Sequence, residues 1–356
     1  MENGKRAFLE DLLGTRSPSG YEAGGQRVWV EYVRQFADDV WTDEYGNAVG
    51  VHEGSADMEI AIGGHADEIG YAVSSVTEEG FVRIIPVGGA DPTVSRGTQI
   101  VIETDEGPVN GVIGQTAIHL RNHENPNTDD VPEISAQHVD IGAEDEEDAR
   151  NLVEIGDPAT VAFGVHDLAN DRLAARGLDN RVGTWVAAET LRRSIERDVD
   201  ATVYAVSTIQ EEVGLKGAQM VGFDLEPDAI VAVDVTHASD NPAFPSEMAN
   251  DVSLGEGPVI ARGTANHPEL VDAVRTAAET ADIDVQLQAT GIRTGTDADA
   301  YYTQRGGIPS LNLGIPNRYM HTPAEVIDLG DVENAAALLS ETAGDAADRD
   351  GFQVDL

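Results

Sequence analysis

From about residue 178 onward, short apolar runs alternate with segments of helical period, and this alternation leaves few folds open to the chain. Strand-like runs cover 201–209, Ala229–Asp234, 257–261, 283–289 and Ser310–Ile315. Helical spacing covers 181–196, a short stretch near 216–221, 267–281 and 331–346. Strands joined through helices pair in parallel, and a parallel sheet must be covered on both faces. The expected fold class is therefore α/β, a mostly parallel sheet with helices on both faces.

The first half is less uniform. Helices are expected over 5–13 and 22–37, parted by the breaker Ser17–Gly20, with Trp29, Tyr32, Val33 and Phe36 at core-facing spacing. Two short strands, 40–44 and 47–51, flank the turn signal Tyr45–Asn47, and an apolar strand over 58–65 ends in His65-Ala66-Asp67. From residue 70 the texture changes to short alternating segments (71–76, 81–85, 99–103, 109–114) divided by Gly and Pro, the pattern of a small β-barrel. A polar loop over 121–132, a strand near 139–142, an acidic helix over 145–153 and a strand over 159–163 complete it. The expected organisation is a discontinuous α/β domain, 1–69 and 164–356, interrupted by a β-rich domain over 70–163. There is no internal repeat.

Charge narrows the partners. The formal net charge is −43, and Lys5 and Lys216 are the only lysines. Such a field repels nucleic acid and anionic membranes, and its spread along the whole chain points to adaptation to high salt. No apolar run reaches the length of a membrane span, and MENGKRAFLEDLLG carries no cleavable leader pattern, so a cytoplasmic protein is expected. With no cysteine, any metal must be held by His, Asp and Glu.

The chemistry gathers around Ser207–Ala218, where an apolar strand runs into two adjacent carboxylates, Glu211 and Glu212. On an extended backbone neighbours point to opposite sides, so one carboxylate could hold a metal while the other handles a proton. His65, Glu211, Glu212, Asp234 and His321 all stand at or just past the C-terminal end of an expected strand, and Asp179 stands just before a helix. That edge is where open α/β sheets bind ligands. Singly each has an ordinary reading: a core histidine, a helix N-cap, a strand-end turn, a solvated acidic pair. Together they form a nitrogen and oxygen donor set suited to Zn, Co or Mn, and one carboxylate between two ions would make a two-metal site. Asp67, two residues from His65, is placed to reach the ring nitrogen that does not bind metal.

GHADEIG, LDNRVG, QEEVGLKGA, VDVTHASD and RYMHTPAEV, in this order and across the whole chain, resemble the tetrahedral (TET) aminopeptidases. These are dinuclear-metal enzymes that include proteins called deblocking aminopeptidases and M-type endoglucanases. The resemblance implies a zinc-peptidase-like fold and two divalent metal ions per subunit. His65, Asp179 and Asp234 would hold one ion; Asp179, Glu212 and His321 would hold the other, with Asp179 bridging. Glu211 would be the general base, Asp67 its partner as orienter of His65, and the Asp179–Asn180 peptide would be cis. The substrates would be peptides, cut at their N-terminus. The β-rich domain would pair subunits, and six pairs would form a hollow tetrahedral dodecamer.

Two segments depart from the family pattern. Arg293–Asp299 has fewer glycines, and Asn317 stands where a small residue or Cys is common; both are expected beside the substrate pocket. Asp297 reads equally as a pocket residue and as a loop former. His52, His119, His123, His138, His166, His237 and His267 read as surface or packing residues, with His237 the best placed to support Asp234. Two rival functions are a glycosidase, which leaves His65, His321 and Asp179 without work, and a non-catalytic acidic shell protein with a metal site, which has no use for Glu211.

Overall fold

The structure, a computed structural model, describes residues 1–120, 131–248 and 250–356. Helices α1 (Asn3–Gly14) and α2 (Ala23–Val33) meet through Phe8 and Tyr32, whose rings stack with centroids 3.7 Å apart. The helix expected over 22–37 ends at Val33, because Gln35 and Phe36 donate to carbonyls only three residues back and tighten the final turn. Strands β1 (Asp39–Thr42) and β2 (Ala48–His52) form the expected antiparallel hairpin, and β3 (Glu59–His65) follows.

The next strands leave the main sheet. β4 (Gly70–Val76), β5 (Val82–Val87), β6 (Gln99–Thr104), β7 (Gly107–Ile113), β8 (Val139–Asp140) and β9 (Pro158–Val161) close into a barrel in the order β4-β5-β8-β7-β6-β9. Closure leaves no unpaired edge, and Val73, Val82, Ile84, Ile100, Ile102, Ile113 and Val139 fill the interior. Helices α3 (Pro92–Ser95) and α4 (Glu146–Leu152) sit on connections of the barrel. The loop expected over 121–132 lies, up to residue 130, outside the described residues, and so does His123.

After β10 (His166–Asp167) and β11 (Arg172–Ala175) come α5 (Leu178–Glu196), β12 (Thr202–Thr208), α6 (Lys216–Asp224), β13 (Ala229–His237), β14 (Val259–Arg262), α7 (Pro268–Ala281), β15 (Gln286–Ala289), α8 (Ala298–Tyr301), β16 (Ser310–Asn317), β17 (Glu325–Asp328) and α9 (Leu329–Ala346). Eight strands form one sheet in the order β1-β2-β12-β3-β13-β16-β14-β15. Its centre, β12 to β16, is parallel; the β1–β2, β2–β12 and β14–β16 pairs are the antiparallel steps. The expected α/β class with a mostly parallel sheet holds, and β13 is apolar and buried over nearly its whole length, as a strand covered on both faces must be. Helix α5 is buried from Leu178 to Leu191, wedged between α9 and the sheet, so its apolar residues run all round it.

A three-stranded sheet, β10-β11-β17, was not expected. Its strands are two to four residues long and carry too little alternation to read. It matters because β17 places Glu325 beneath the site. Among the described residues no helix is long and apolar enough to cross a membrane.

Candidate metal centre

His65 is the last residue of β3, and the strand end lies against the first turns of α5. A Cβ on Gly64 would stand 2.4 Å from the backbone of Gly183, so only glycine permits this approach. It brings Asp179 to His65. The Asp179–Asn180 peptide is cis, and Asn180 secures the turn by donating Nδ2 to the Val233 carbonyl at 2.8 Å and accepting the Gly183 N–H at 2.9 Å. Asp179 then splits its two oxygens: Oδ1 is 3.2 Å from His65 Nε2, and Oδ2 is 3.2 Å from His321 Nε2. Asp234 Oδ1 lies 3.7 Å from His65 Nε2, Glu211 Oε2 lies 3.9 Å from it, and Glu212 Oε1 is 3.4 Å from His321 Nε2. All seven residues singled out in the sequence, Asp67 among them, meet in one place.

Glu211, Glu212 and Asp234 stand differently from the expectation, and Asp67 does more than expected. The carboxylate pair is not on a strand end: β12 stops at Thr208, Gln210 has φ of +53°, and Glu211 and Glu212 sit in the turn that follows. The turn, rather than alternation along a strand, aims the two side chains apart. Asp234 is the sixth residue of the nine-residue β13, because the strand runs on to His237. Asp67 does more than face His65 Nδ1, 3.3 Å from its Oδ1. It also accepts the Glu211 N–H at 3.0 Å, the Glu212 N–H at 3.2 Å and the Ser19 hydroxyl at 2.6 Å, tying the β12 turn to the β3 end.

The site suits cations. Burial pushes Glu211 up to about 10; His65 opposes this, while Asp234, Asp297 and Glu212 add to it. Burial and then Asp179 raise Glu212. Hydrogen bonds to Asp179 and Glu212 lift His321 to about 11, and His65, although burial pulls it down, is held well above its ordinary value by Asp234, Asp179 and Asp67. Carboxylates thus outnumber the histidines that could balance them, and buried Glu212 Oε1 has only the 3.4 Å approach of His321 Nε2 to offset its charge. Three groupings place ligand atoms within 4.8 Å of one another: His65, Asp179 and Asp234; Asp179, Glu212 and His321; and His65, Glu211 and Glu212. A donor set of imidazole nitrogen and carboxylate oxygen with orphaned negative charge fits divalent metal.

A cleft of about 400 Å³ opens over the centre, walled by Gln288, Thr290, Arg293, Asn312, Met320 and His237. The 293–296 segment lines it, as expected. Asn317 does not: it is buried in β16, and neither of its amide atoms has a partner among the described residues. Asp297 is buried beneath the site, where it accepts the Thr208 hydroxyl at 2.7 Å, and burial pushes it up to about 7. Three contributors had not been singled out. Thr296 donates its hydroxyl to Asp234, Glu325 accepts the backbone N–H of both Asp179 (3.0 Å) and His321 (2.9 Å), and Gly89 offers its carbonyl 3.2 Å from His321 Nδ1. Glu325 lies within RYMHTPAEV, four residues past His321, and that spacing was its only signal.

The family model described as M42 glutamyl aminopeptidase matches residues 46–338. The lysyl aminopeptidase of Pyrococcus furiosus is 32% identical over 341 residues, covering 94% of this chain and 96% of that one. Among solved structures, a TET aminopeptidase from a marine sediment archaeon of the Thaumarchaeota superposes with a TM-score of 0.89 at 31% identity, covering 96% of this chain and 97% of the other. The TET1 peptidase of Pyrococcus horikoshii, described as able to assemble into a tetrahedron or a large octahedral shell, gives 0.83 at 29% identity, covering 95% and 99%.

Proposed function

This chain belongs to the M42 glutamyl aminopeptidase family, and from that membership we propose that it is a cytoplasmic, metal-dependent aminopeptidase that removes N-terminal residues from peptides. The observation that carries the reading is the Asp179 carboxylate, each of whose oxygens faces a different histidine at 3.2 Å. His65, Asp179 and Asp234 would hold one ion, and Asp179, Glu212 and His321 the other. Two divalent ions of the Zn, Co or Mn class supply Lewis acidity toward the peptide carbonyl and acidify the attacking water.

The chain's own residues do the rest. Glu211, held beside the ligand set, takes the water's proton and delivers it to the leaving amine. Asp67 holds the Glu211 turn and the His65 ring in one orientation. The polar cleft wall, with Gln288, Thr290 and Asn312, orients the peptide.

For assembly, residues 70–163 would form the pairing domain, set into a catalytic domain of 1–69 and 164–356, and six pairs would enclose the sites in a tetrahedral dodecamer. The likeness to shell-forming TET1 supports this. A panel of aminoacyl-anilides assayed in molar salt with Zn, Co and Mn tests the activity. Turnover abolished by chelator, none on N-acetylated analogues and none on β-glucan is the expected result. Cleavage of β-glucan would favour the glycosidase, and metal-raised melting without turnover would favour the non-catalytic shell.

A further inference from the structure

The turn between β5 and α3 carries the barrel up to the metal centre. There the Gly89 carbonyl oxygen is 3.2 Å from His321 Nδ1. A carbonyl only accepts, so Nδ1 must carry the hydrogen, and the neutral ring then turns the lone pair of Nε2 toward Asp179 and Glu212. Without that acceptor the imidazole is free to take either tautomer, and the one with its hydrogen on Nε2 cannot serve as a ligand there. His321 also comes from a backbone that needs holding: Tyr319 has φ of +65° and His321 itself +61°. Its N–H is fixed by Glu325.

The turn itself is shaped for this contact. A Cβ on Gly88 would lie 3.2 Å from the Glu212 Cβ and 2.9 Å from Ile69 Cγ2, while a Cβ on Gly89 would lie 2.6 Å from His321 Nδ1. Two consecutive glycines therefore let the barrel backbone approach two residues of the ligand set. The turn is held at both ends, by the β4–β5 pairing up to Val87 and by Asp91, which caps α3 by accepting the Thr93 N–H at 2.7 Å.

We propose that the Gly88–Gly89 turn of the barrel is a positioning element of the metal centre, setting the tautomer and place of His321, so that the barrel serves the reaction as well as assembly. This rests on the reading of Asp179, Glu212 and His321 as a metal-binding group.

Gly89→Ala tests it, since the φ of Gly89 is not in the left-handed region and the added Cβ meets only the His321 ring. Metal affinity and stoichiometry are measured by chelator competition on the full chain in molar salt, with oligomer mass and metal-free melting recorded alongside. One of the two ions per subunit should weaken by about 10–100-fold, the range seen when a group supporting a ligand is lost, and the other should bind as before. Gly97→Ala, in a barrel turn where an added Cβ meets nothing although φ is +80°, should keep both ions. A gentler pair guards against misfolding of the first variant: Asp91→Ala, which frees the turn from its cap, should weaken the same ion a few-fold, and Asp91→Asn, which keeps a capping oxygen, should not. Two ions bound normally by Gly89→Ala, or equal losses in Gly89→Ala and Gly97→Ala, would overturn the proposal while the aminopeptidase reading stands. A wild type that takes up no divalent ion would overturn both.

Discussion

Asp67→Asn isolates the carboxylate that ties the two halves of the centre together. The side chain is fully buried. Its Oδ1 accepts the Glu211 N–H and lies 3.3 Å from His65 Nδ1, whose hydrogen bond goes to the Asp67 backbone carbonyl at 3.1 Å, and its Oδ2 accepts the Glu212 N–H and the Ser19 hydroxyl. Asparagine offers one oxygen and one amino group. Its less costly orientation keeps oxygen at the Oδ1 position; Ser19 can then rotate to accept, but the Glu212 N–H faces a donor. One buried, unpaired N–H costs about 1–3 kcal/mol, and weakening the remaining charge-assisted bonds adds about 1 kcal/mol, so the metal-free protein should lose about 2–4 kcal/mol. The opposite orientation would leave the Glu211 N–H facing a donor and set the amino group beside His65 Nδ1, so it costs more. Urea unfolding in molar salt, at fixed subunit concentration, reads the loss as a lower midpoint with an unchanged slope. Although burial raises it, bonds to His65 and Ser19 hold Asp67 below the ordinary carboxylate range. Its contribution is therefore present above the unfolded value near pH 3.9 and lost as pH falls through the lower folded value, so the gap between the two proteins should close in acid. A loss under about 0.5 kcal/mol at neutral pH, half the smallest expected cost of one orphaned N–H, would refute the reasoning.

The two adjacent glutamates should separate in kind. Glu211→Gln should lower kcat by about 10²–10⁴ while metal content holds; Glu212→Gln should lose metal and regain some activity when Zn or Co is added, and metal loss from the first variant instead would reverse the roles. Dialysis to about 0.01 M salt, where the Debye length is about 30 Å against about 3 Å at 1 M, should dissociate or inactivate the protein, given −43 formal charge per subunit; unchanged mass and activity there would contradict this. Arg293 is the only Lys or Arg among the described residues lining the cleft, so N-terminal Glu or Asp should be favoured. Arg293→Gln should then cut kcat/KM about tenfold for a glutamyl-anilide, one charge-assisted bond's worth, and leave a leucyl-anilide unaffected.

The parallel centre of the sheet was legible because β3, β12, β13 and β16 are largely apolar runs of seven or more residues, and β13 states its double-sided burial in its own composition. The meeting of His65, Asp179, Asp234 and His321 followed from the same reading, since parallel strands bring their C-terminal ends to one edge. What failed was local. The reading of Glu211 and Glu212 as strand neighbours missed that Gln210 takes a positive φ, a conformation that no residue pattern in Ile209-Gln210-Glu211 announces. The supporting shell was less legible still, because it is made of backbone groups. Glu325 acts by accepting two main-chain N–H bonds from residues 146 and 4 positions away. Gly88 and Gly89 read in sequence only as a turn, and nothing in a turn signal says that a histidine 232 residues downstream will lean on its carbonyl. Residue type can identify a ligand, whereas the group that orients the ligand is often an amide or a carbonyl that every residue possesses, and only the fold selects which one.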